Sequence, residues 1–431
     1  MNLVACLDGR VAGIVELIGS RAAFTYETSW LNAPGLYPLS QSLPLQSMPI
    51  TGKSVLNFLW GLLPDNQRTL DGWARQFHVS ARNPVALLSH VGEDCAGAVQ
   101  FVKKERLPEI IDAVHRAPSV DWLTEREFEQ RIARLVADGS EGRLTPDEGQ
   151  FSLSGAQSKT ALFYDAPNKR WGVPRGRTPT THILKPVTNS FDGFAENEHF
   201  CLSLARRLGL PAAATQWRLI ANIPTFIAER YDRAQINGSW RRIHQEDCCQ
   251  ALDVSPENKY QNDGGPGFSD IMTLLNSSDE PAEDRDRLMK TACLFYLLAA
   301  TDAHGKNFSL IYAQGTQRAS MRLAPLYDIA SAWPYTRRIP AQKMKLVMRY
   351  GSHYKLREIQ PRHFDELARS CGYSAERIHE MLASLVDQLP DQAASLLREL
   401  ETTGMNRIVL GSLVDGIARQ CKALQSRLTA T

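Results

Sequence analysis

No apolar run in this 431-residue chain is long enough to cross a bilayer. The longest, around Cys293 to Ala300, falls well short of the roughly 20 residues a spanning helix needs. The apolar start, Met1 to Leu7, is broken at once by Asp8-Gly9-Arg10, which reads as a hairpin turn between two short strands and not as a secretory leader. The expectation is a cytoplasmic protein with no membrane partner. Paired cysteine motifs are missing too. The eight cysteines, at 6, 95, 201, 248, 249, 293, 371 and 421, include no CxxC and have no histidine at finger spacing. That excludes a zinc ribbon or finger and leaves free, buried thiols in a reducing compartment.

An excess of one charge sign is likewise absent. Lys and Arg number 49 against 47 Asp and Glu, a formal net charge of +2. A surface coated in positive charge is excluded, so any nucleic-acid contact must be local. There is no internal repeat, low-complexity tract or coiled coil, and no Walker A loop. Gly52-Lys53-Ser54 has Ser47 where the first glycine should stand and Pro49 stiffening the turn; beside Lys159, Ser158 takes the place of the second glycine.

What the chain does have is 43% hydrophobic residues over a length too great for one ordinary core, which predicts two or three domains. Short alternating segments such as LVACL and VAGIVEL fill residues 1–105, with a helix starting near Val55. An α/β part follows over 106–235, including an amphipathic helix that puts Phe128, Ile132 and Leu135 on one face. Beyond Gln245 nearly everything reads as helix, so residues 236–431 are expected to form a helical lobe. The predicted class is α+β, with a mixed α/β N-terminal lobe and an all-helical C-terminal lobe.

The most informative stretch is TDAHGKN, Thr301 to Asn307, which sets Asp302 and Asn307 five residues apart behind a greasy helix. Protein kinases use that spacing in their catalytic loop, where the Asp faces the attacking hydroxyl and the Asn holds magnesium. Twenty-one residues after Asn307, LAPLYDIASAW places Asp328 at the end of an apolar run, where a lone carboxylate needs a partner and a metal ion is one. Base, then amide ligand, then carboxylate ligand is the kinase order. His304 and Lys306 lie inside the loop and Tyr327 beside Asp328, all on the expected ATP side.

Upstream, FSLSGAQSKTALFY reads as a one-glycine turn leading into a strand. Small residues let main-chain N–H groups approach phosphate, so Ser154, Gly155, Ala156, Gln157, Ser158, Lys159 and Thr160 are candidate phosphate contacts. THILKPV brings Lys185 to a strand end, the position from which kinases grip the α- and β-phosphates. A helix from ENEHFCLSLARRLGLP closes with Gly209 and Pro211. FIAERYDR then ends a strand in polar residues, making Glu229, Arg230 and Tyr231 candidates for the adenine side, chiefly through main-chain groups.

SGAQSKT, THILKPV, ENEHFCLSLARRLGLP, ERYDR, QEDCCQ, KYQNDGGPG, TDAHGKNFS and YDIASAWP occur in the order and approximate spacing of the HipA family, toxin kinases of bacterial type II toxin–antitoxin modules. The resemblance runs from about Phe151 to about Pro361, and the total length also agrees. It implies a two-lobed kinase-like fold and a serine/threonine kinase using ATP and Mg2+. It further implies inhibition by a HipB-like helix-turn-helix antitoxin dimer bound to operator DNA, a protein substrate such as an aminoacyl-tRNA synthetase, and autophosphorylation on a phosphate-loop serine, by position Ser152. Two departures stand out: Ser158 sits where family members often carry Glu, and TDAHGKN exchanges the Gly and Ala of TDGHAKN. Neither removes a catalytic side chain, though Ser158 adds a second hydroxyl that could be modified.

Two other functional classes fit parts of the pattern: a catalytically silent scaffold that binds antitoxin and DNA, and a kinase-fold enzyme acting on a lipid or small molecule. Intact Asp302, Asn307, Asp328 and Lys185 count against the scaffold. One segment departs from the balanced charge, since Thr336 to Arg362 holds eight basic residues against the single acid Glu358. Within it Lys355 and Arg362 are candidate DNA contacts, and Lys343 and Lys345 alternate with Met344 and Leu346 as in a strand with one wet face.

Overall fold

The computed structural model describes residues 1–19, 21–111, 118–138, 152–155, 157–187, 191–313 and 320–428. The chain divides into two compact units, both discontinuous in sequence: Met1–Thr188, Leu219–Glu257 and Ser309–Met321 form one, and Asn189–Arg218, Asn258–Phe308 and Arg322–Thr431 the other.

The first unit begins with a five-stranded antiparallel sheet in which Asn2–Leu7 lies between Arg10–Ile18 and Val99–Val102. The predicted hairpin is there, with Asp8 and Gly9 both at positive φ, +47° and +78°. That is the backbone of a tight turn matched to strand twist, and Asp and Gly are among the few residues that adopt it cheaply. Helices Lys53–Gly61, Gln67–Phe77 and Pro84–Val91 follow. The last starts with Pro84 in its first turn and the Asn83 side chain accepting the Ala86 N–H, two helix-start signals acting together.

A second antiparallel sheet runs through Ile223–Glu229, His182–Pro186, Thr160–Asp165, Arg170–Pro174 and Val120–Trp122. Helix Glu125–Asp138 covers it with the predicted face: Phe128, Ile132 and Leu135 are buried against Leu162, Trp171, Leu184 and Ile227. Burial of each such side chain stabilises by about 1.5–3 kcal/mol, which makes this stripe the reason the helix exists.

Polar residues join the two sheets. Asp94, almost wholly buried, accepts from Thr180 through both N–H (3.0 Å) and hydroxyl (2.6 Å), from Arg233 at 2.9 Å and from Arg242. Arg230 closes the cluster with two bonds to Asp232. Burial alone would raise the Asp94 carboxyl; the guanidinium groups of Arg242, Arg233 and Arg230 and the Thr180 hydroxyl outweigh it and hold Asp94 far below the usual carboxylate range.

The second unit is helical: Phe194–Arg207, Phe268–Leu274, Pro281–Leu298, Pro361–Ser370, Ala375–Leu400 and Arg407–Leu428. Helix Phe194–Arg207 ends as predicted, with Gly209 in the left-handed conformation after it. The stretch beyond Gln245 is not helical throughout. His244–Asp247 pairs with Ser309–Ala313 in the first unit, and Lys345–Tyr350 pairs with His353–Lys355 in the second. Pairing partners 62 to 68 residues apart in the first case leave no local turn signal, so the helical content around them dominated the sequence pattern. The hairpin in the basic segment does show its expected wet face: Lys345 and Arg349 are exposed while Leu346, Met348 and Tyr350 are buried. All eight cysteines are free and buried, and among the described residues no helix is long and apolar enough to cross a membrane.

Candidate active site

Helix Pro281–Leu298 is buried over most of its length, so its C-terminal carbonyls have no water to bond and must find partners in the chain. Residues just past Asp328 supply them. Trp333 Nε1 donates to Leu297 (3.0 Å), the Ser331 hydroxyl to Leu298 (2.7 Å) and the Ala332 N–H to Ala299 (3.0 Å). Asn197 holds Ser331 in turn, donating to its carbonyl at 2.8 Å and accepting its N–H at 2.9 Å. Two loops far apart in sequence are thereby fixed to one helix end, and those loops carry Asp302 and Asp328.

Ala299 turns the chain out of the helix at φ +49°, and a tight loop follows in which the N–H groups of His304 and Asn307 bond the carbonyls of Asp302 and His304, each at 2.9 Å. The buried Asn307 is the junction: its Nδ2 donates to the Asp302 carbonyl at 3.1 Å and to the Asp328 carbonyl at 3.3 Å. Tyr327 ties the same two loops through its hydroxyl, 2.6 Å from the Lys306 carbonyl. Asp302 and Asp328 are exposed, whereas His304 and Lys306 are buried. Asp328 has φ +57°, a conformation L residues rarely hold unless their surroundings impose it.

With both Nδ2 protons engaged, the Asn307 amide cannot flip, and Oδ1 is the atom it offers a cation. Together with the exposed Asp328 carboxylate, that is a pair of hard oxygen donors on tied loops. Such a set suits Mg2+, which takes one or two protein ligands and completes its octahedron with water and phosphate oxygens. Among the described residues no group of three or more His, Cys, Asp and Glu side chains forms an alternative metal site.

In the first unit Thr160 and Lys185 lie on neighbouring central strands of the second sheet. Thr160 is opposite Leu184, and Lys185 is opposite Phe226, with its ammonium 5.3 Å from that ring's centroid. Gly155 has φ +108°, and a β-carbon there would come within 2.6 Å of Lys159 Nζ, so the turn requires glycine. Lys159 donates to the Ser154 carbonyl, folding the turn over itself. Ser158 and Gln157 are half-buried beside it; Ala156 lies outside the described residues.

Ser152 is fully buried. Its N–H donates to the Asp94 carbonyl at 3.0 Å and its hydroxyl to the Leu62 carbonyl at 2.8 Å.

On the adenine side only Glu229 is exposed. The Arg230 guanidinium is engaged with Asp232, Thr180 and the Cys95 carbonyl. Burial pushes the Tyr231 phenol well above 10 although Ser309 and Gln245 bond it. Both side chains therefore serve the fold, and main-chain groups are what this segment has to offer. Tyr260, to which the sequence pattern assigned no role, donates its hydroxyl to Asp302 Oδ1 at 3.0 Å. Its segment, KYQNDGGPG, is one of the motifs that carry the family resemblance, and that motif was the signal that could have marked it.

Residues 3–102 match the family model described as HipA N-terminal domain, and residues 151–393 the one described as HipA-like C-terminal domain. The chain is 34% identical to the putative kinase Y4mE of Sinorhizobium fredii, an alignment covering 97% of each. It is 29% identical to the serine/threonine-protein kinase toxin HipA of Shewanella oneidensis over 73% of this chain and 70% of that protein. Among solved structures, the Shewanella oneidensis toxin–antitoxin complex of HipA, HipB and operator DNA superposes with a TM-score of 0.83 at 23% identity, covering 99% of this chain and 98% of that one.

Proposed function

The chain belongs to the HipA family, and from that premise we propose that it is an ATP-dependent serine/threonine kinase acting as the toxin of a toxin–antitoxin pair. The observation that carries the reading is the bridge made by Asn307 Nδ2 to the carbonyls of Asp302 and Asp328, which fixes a base and a metal-binding carboxylate in one construction. The acceptor hydroxyl oxygen attacks the γ-phosphorus of ATP in line, the bond to the β–γ bridging oxygen breaks, and ADP leaves. Asp302 orients the hydroxyl and takes its proton. Lys185 and the main chain of the 154–160 turn hold phosphate oxygens. Asn307 and Asp328 would hold Mg2+, which when bound neutralises phosphate charge. Functionally we divide the chain at about residues 105 and 235, with nucleotide grip in the middle part and acceptor chemistry in the last. Purified protein incubated with labelled ATP and cell lysate tests the whole reading, because the labelled species reports both the activity and the acceptor.

We assign Ser152 as the site of autophosphorylation. A phosphate there adds roughly two negative charges, and the Ser152 hydroxyl and N–H are fully buried against the carbonyls of Leu62 and Asp94, which phosphate oxygens would repel. Modification therefore requires the root of the turn to leave this position and then prevents its return, which removes the phosphate grip and lowers ATP affinity. Mass spectrometry after incubation with ATP should find phosphate on Ser152 and not in the Asp302→Asn protein. Label that persists in that variant identifies a different kinase as its source.

The partner we propose is a HipB-like helix-turn-helix antitoxin dimer on operator DNA, with Lys355 and Arg362 touching phosphate. Arg362 is exposed in the first turn of its helix, while Lys355 already pairs with Glu358 at 3.0 Å. Neutralising both in the ternary complex should flatten the salt dependence of DNA binding by about one to two units of slope, nearer one because of that ion pair. ATP affinity should not move. An unchanged slope would leave the segment without a DNA role.

A further inference from the structure

Resting on the kinase reading, we infer that Tyr260 is the positioning residue of the acceptor-side carboxylate: its hydroxyl holds one oxygen of Asp302 and so sets the direction from which the attacking hydroxyl is received. Three contacts within the second unit carry this. The Tyr260 hydroxyl donates to Asp302 Oδ1 at 3.0 Å. Its ring meets the His304 imidazole edge to face, with centroids 5.2 Å apart. One residue earlier, the Lys259 carbonyl accepts the Gly305 N–H at 3.3 Å. Residues 259–260 thus engage the 302–307 loop through main chain, ring and hydroxyl.

The segment bearing Tyr260 is itself rigid. The Tyr260 carbonyl accepts the N–H groups of Asp263 and Gly265, both at 2.9 Å, closing a turn that Gly264 completes at φ +91°. A β-carbon on Gly265 would meet the Asn258 carbonyl oxygen at 2.3 Å, so the chain folds back on itself as closely as glycine permits. Gln261 is held from the other side, accepting the Arg349 N–H at 2.8 Å. An exposed carboxylate such as Asp302 has several rotamers in water, and a fixed phenol donating to one oxygen selects among them.

Tyr260→Phe keeps the ring against His304 and removes only the donor. Measured on the full-length protein, kcat for phosphoryl transfer should fall about 10- to 100-fold, the range that misplacing a reacting group by an ångström produces. The Kd for Mg-ATP and its KM should stay within about twofold, because the phenol acts on the acceptor side. A crystal structure of the variant should show the Asp302 carboxylate displaced while Asn307 and Asp328 keep their places. Full kcat in the variant, a matching loss of ATP affinity, or an unmoved Asp302 carboxylate would each overturn the role of Tyr260. A wild-type protein that transfers no phosphoryl group would overturn the kinase reading instead, and the position of Asp302 in the variant crystal would still decide what Tyr260 does.

Discussion

Asp302→Asn is expected to lower phosphoryl transfer about a thousandfold while leaving Mg-ATP affinity unchanged, the effect of removing a general base that acts only on the incoming hydroxyl. The amide is nearly isosteric with the carboxylate, and the bonds that shape the loop use the main chain of residue 302, so the fold should survive. Asp328→Ala should behave in the opposite way. Its side chain is assigned to the metal, so nucleotide affinity should itself fall by at least the roughly 10- to 100-fold that even outer-sphere partners of a metal contribute, and the loss should vanish when Mg2+ is omitted for both proteins. Calorimetry with and without Mg2+, beside a transfer assay, separates the two patterns. Equal activity of wild type and Asp302→Asn would remove the base from the mechanism. Equal affinity of wild type and Asp328→Ala would move the metal ligand elsewhere.

The loop that joins Asp302 to Asn307 was legible in the sequence because it depends on short-range order. Five residues from Asp302 to Asn307 form one loop, and the apolar run before Asp328 marks a buried segment ending in a charge. The strands that carry Lys185 and Thr160 were legible for the same reason, since alternation is local and each strand needs only itself to show it. What escaped were contacts between residues remote in the chain. Nothing near Ser152 announces that its hydroxyl reaches the Leu62 carbonyl 90 positions away. Nothing in ERYDR tells a nucleotide linker from a charged cluster until Asp94 is brought beside it, 136 residues before Arg230. Tyr260 was missed because its motif, KYQNDGGPG, shows nothing of the hydroxyl contact with Asp302, 42 residues on.

The charged cluster around Asp94 yields the second large effect, on stability. Asp94→Ala should destabilise the protein by about 3–5 kcal/mol at neutral pH, the typical result of removing one partner from a buried ion pair. It leaves the almost wholly buried Arg230 and Arg233 to share Asp232 and takes away the carboxylate that the buried Arg242 faces. The pH dependence follows from the depressed carboxyl of Asp94. A carboxylate held below its unfolded value stabilises fully above that value, about pH 4, and loses its contribution as pH falls further. The gap between wild type and variant, read from urea midpoints followed by tryptophan fluorescence, should therefore be constant from pH 8 to 5 and narrow below about pH 4. Adding Arg242→Leu to Asp94→Ala should recover part of the loss, because the pair is costly to break one side at a time and cheaper to remove together. Equal midpoints for wild type and Asp94→Ala at pH 7 would mean that the Asp94 charge is not what offsets the burial of these arginines. A double variant no more stable than Asp94→Ala would mean that Arg242 is held by its other neighbours and not by the charge it faces.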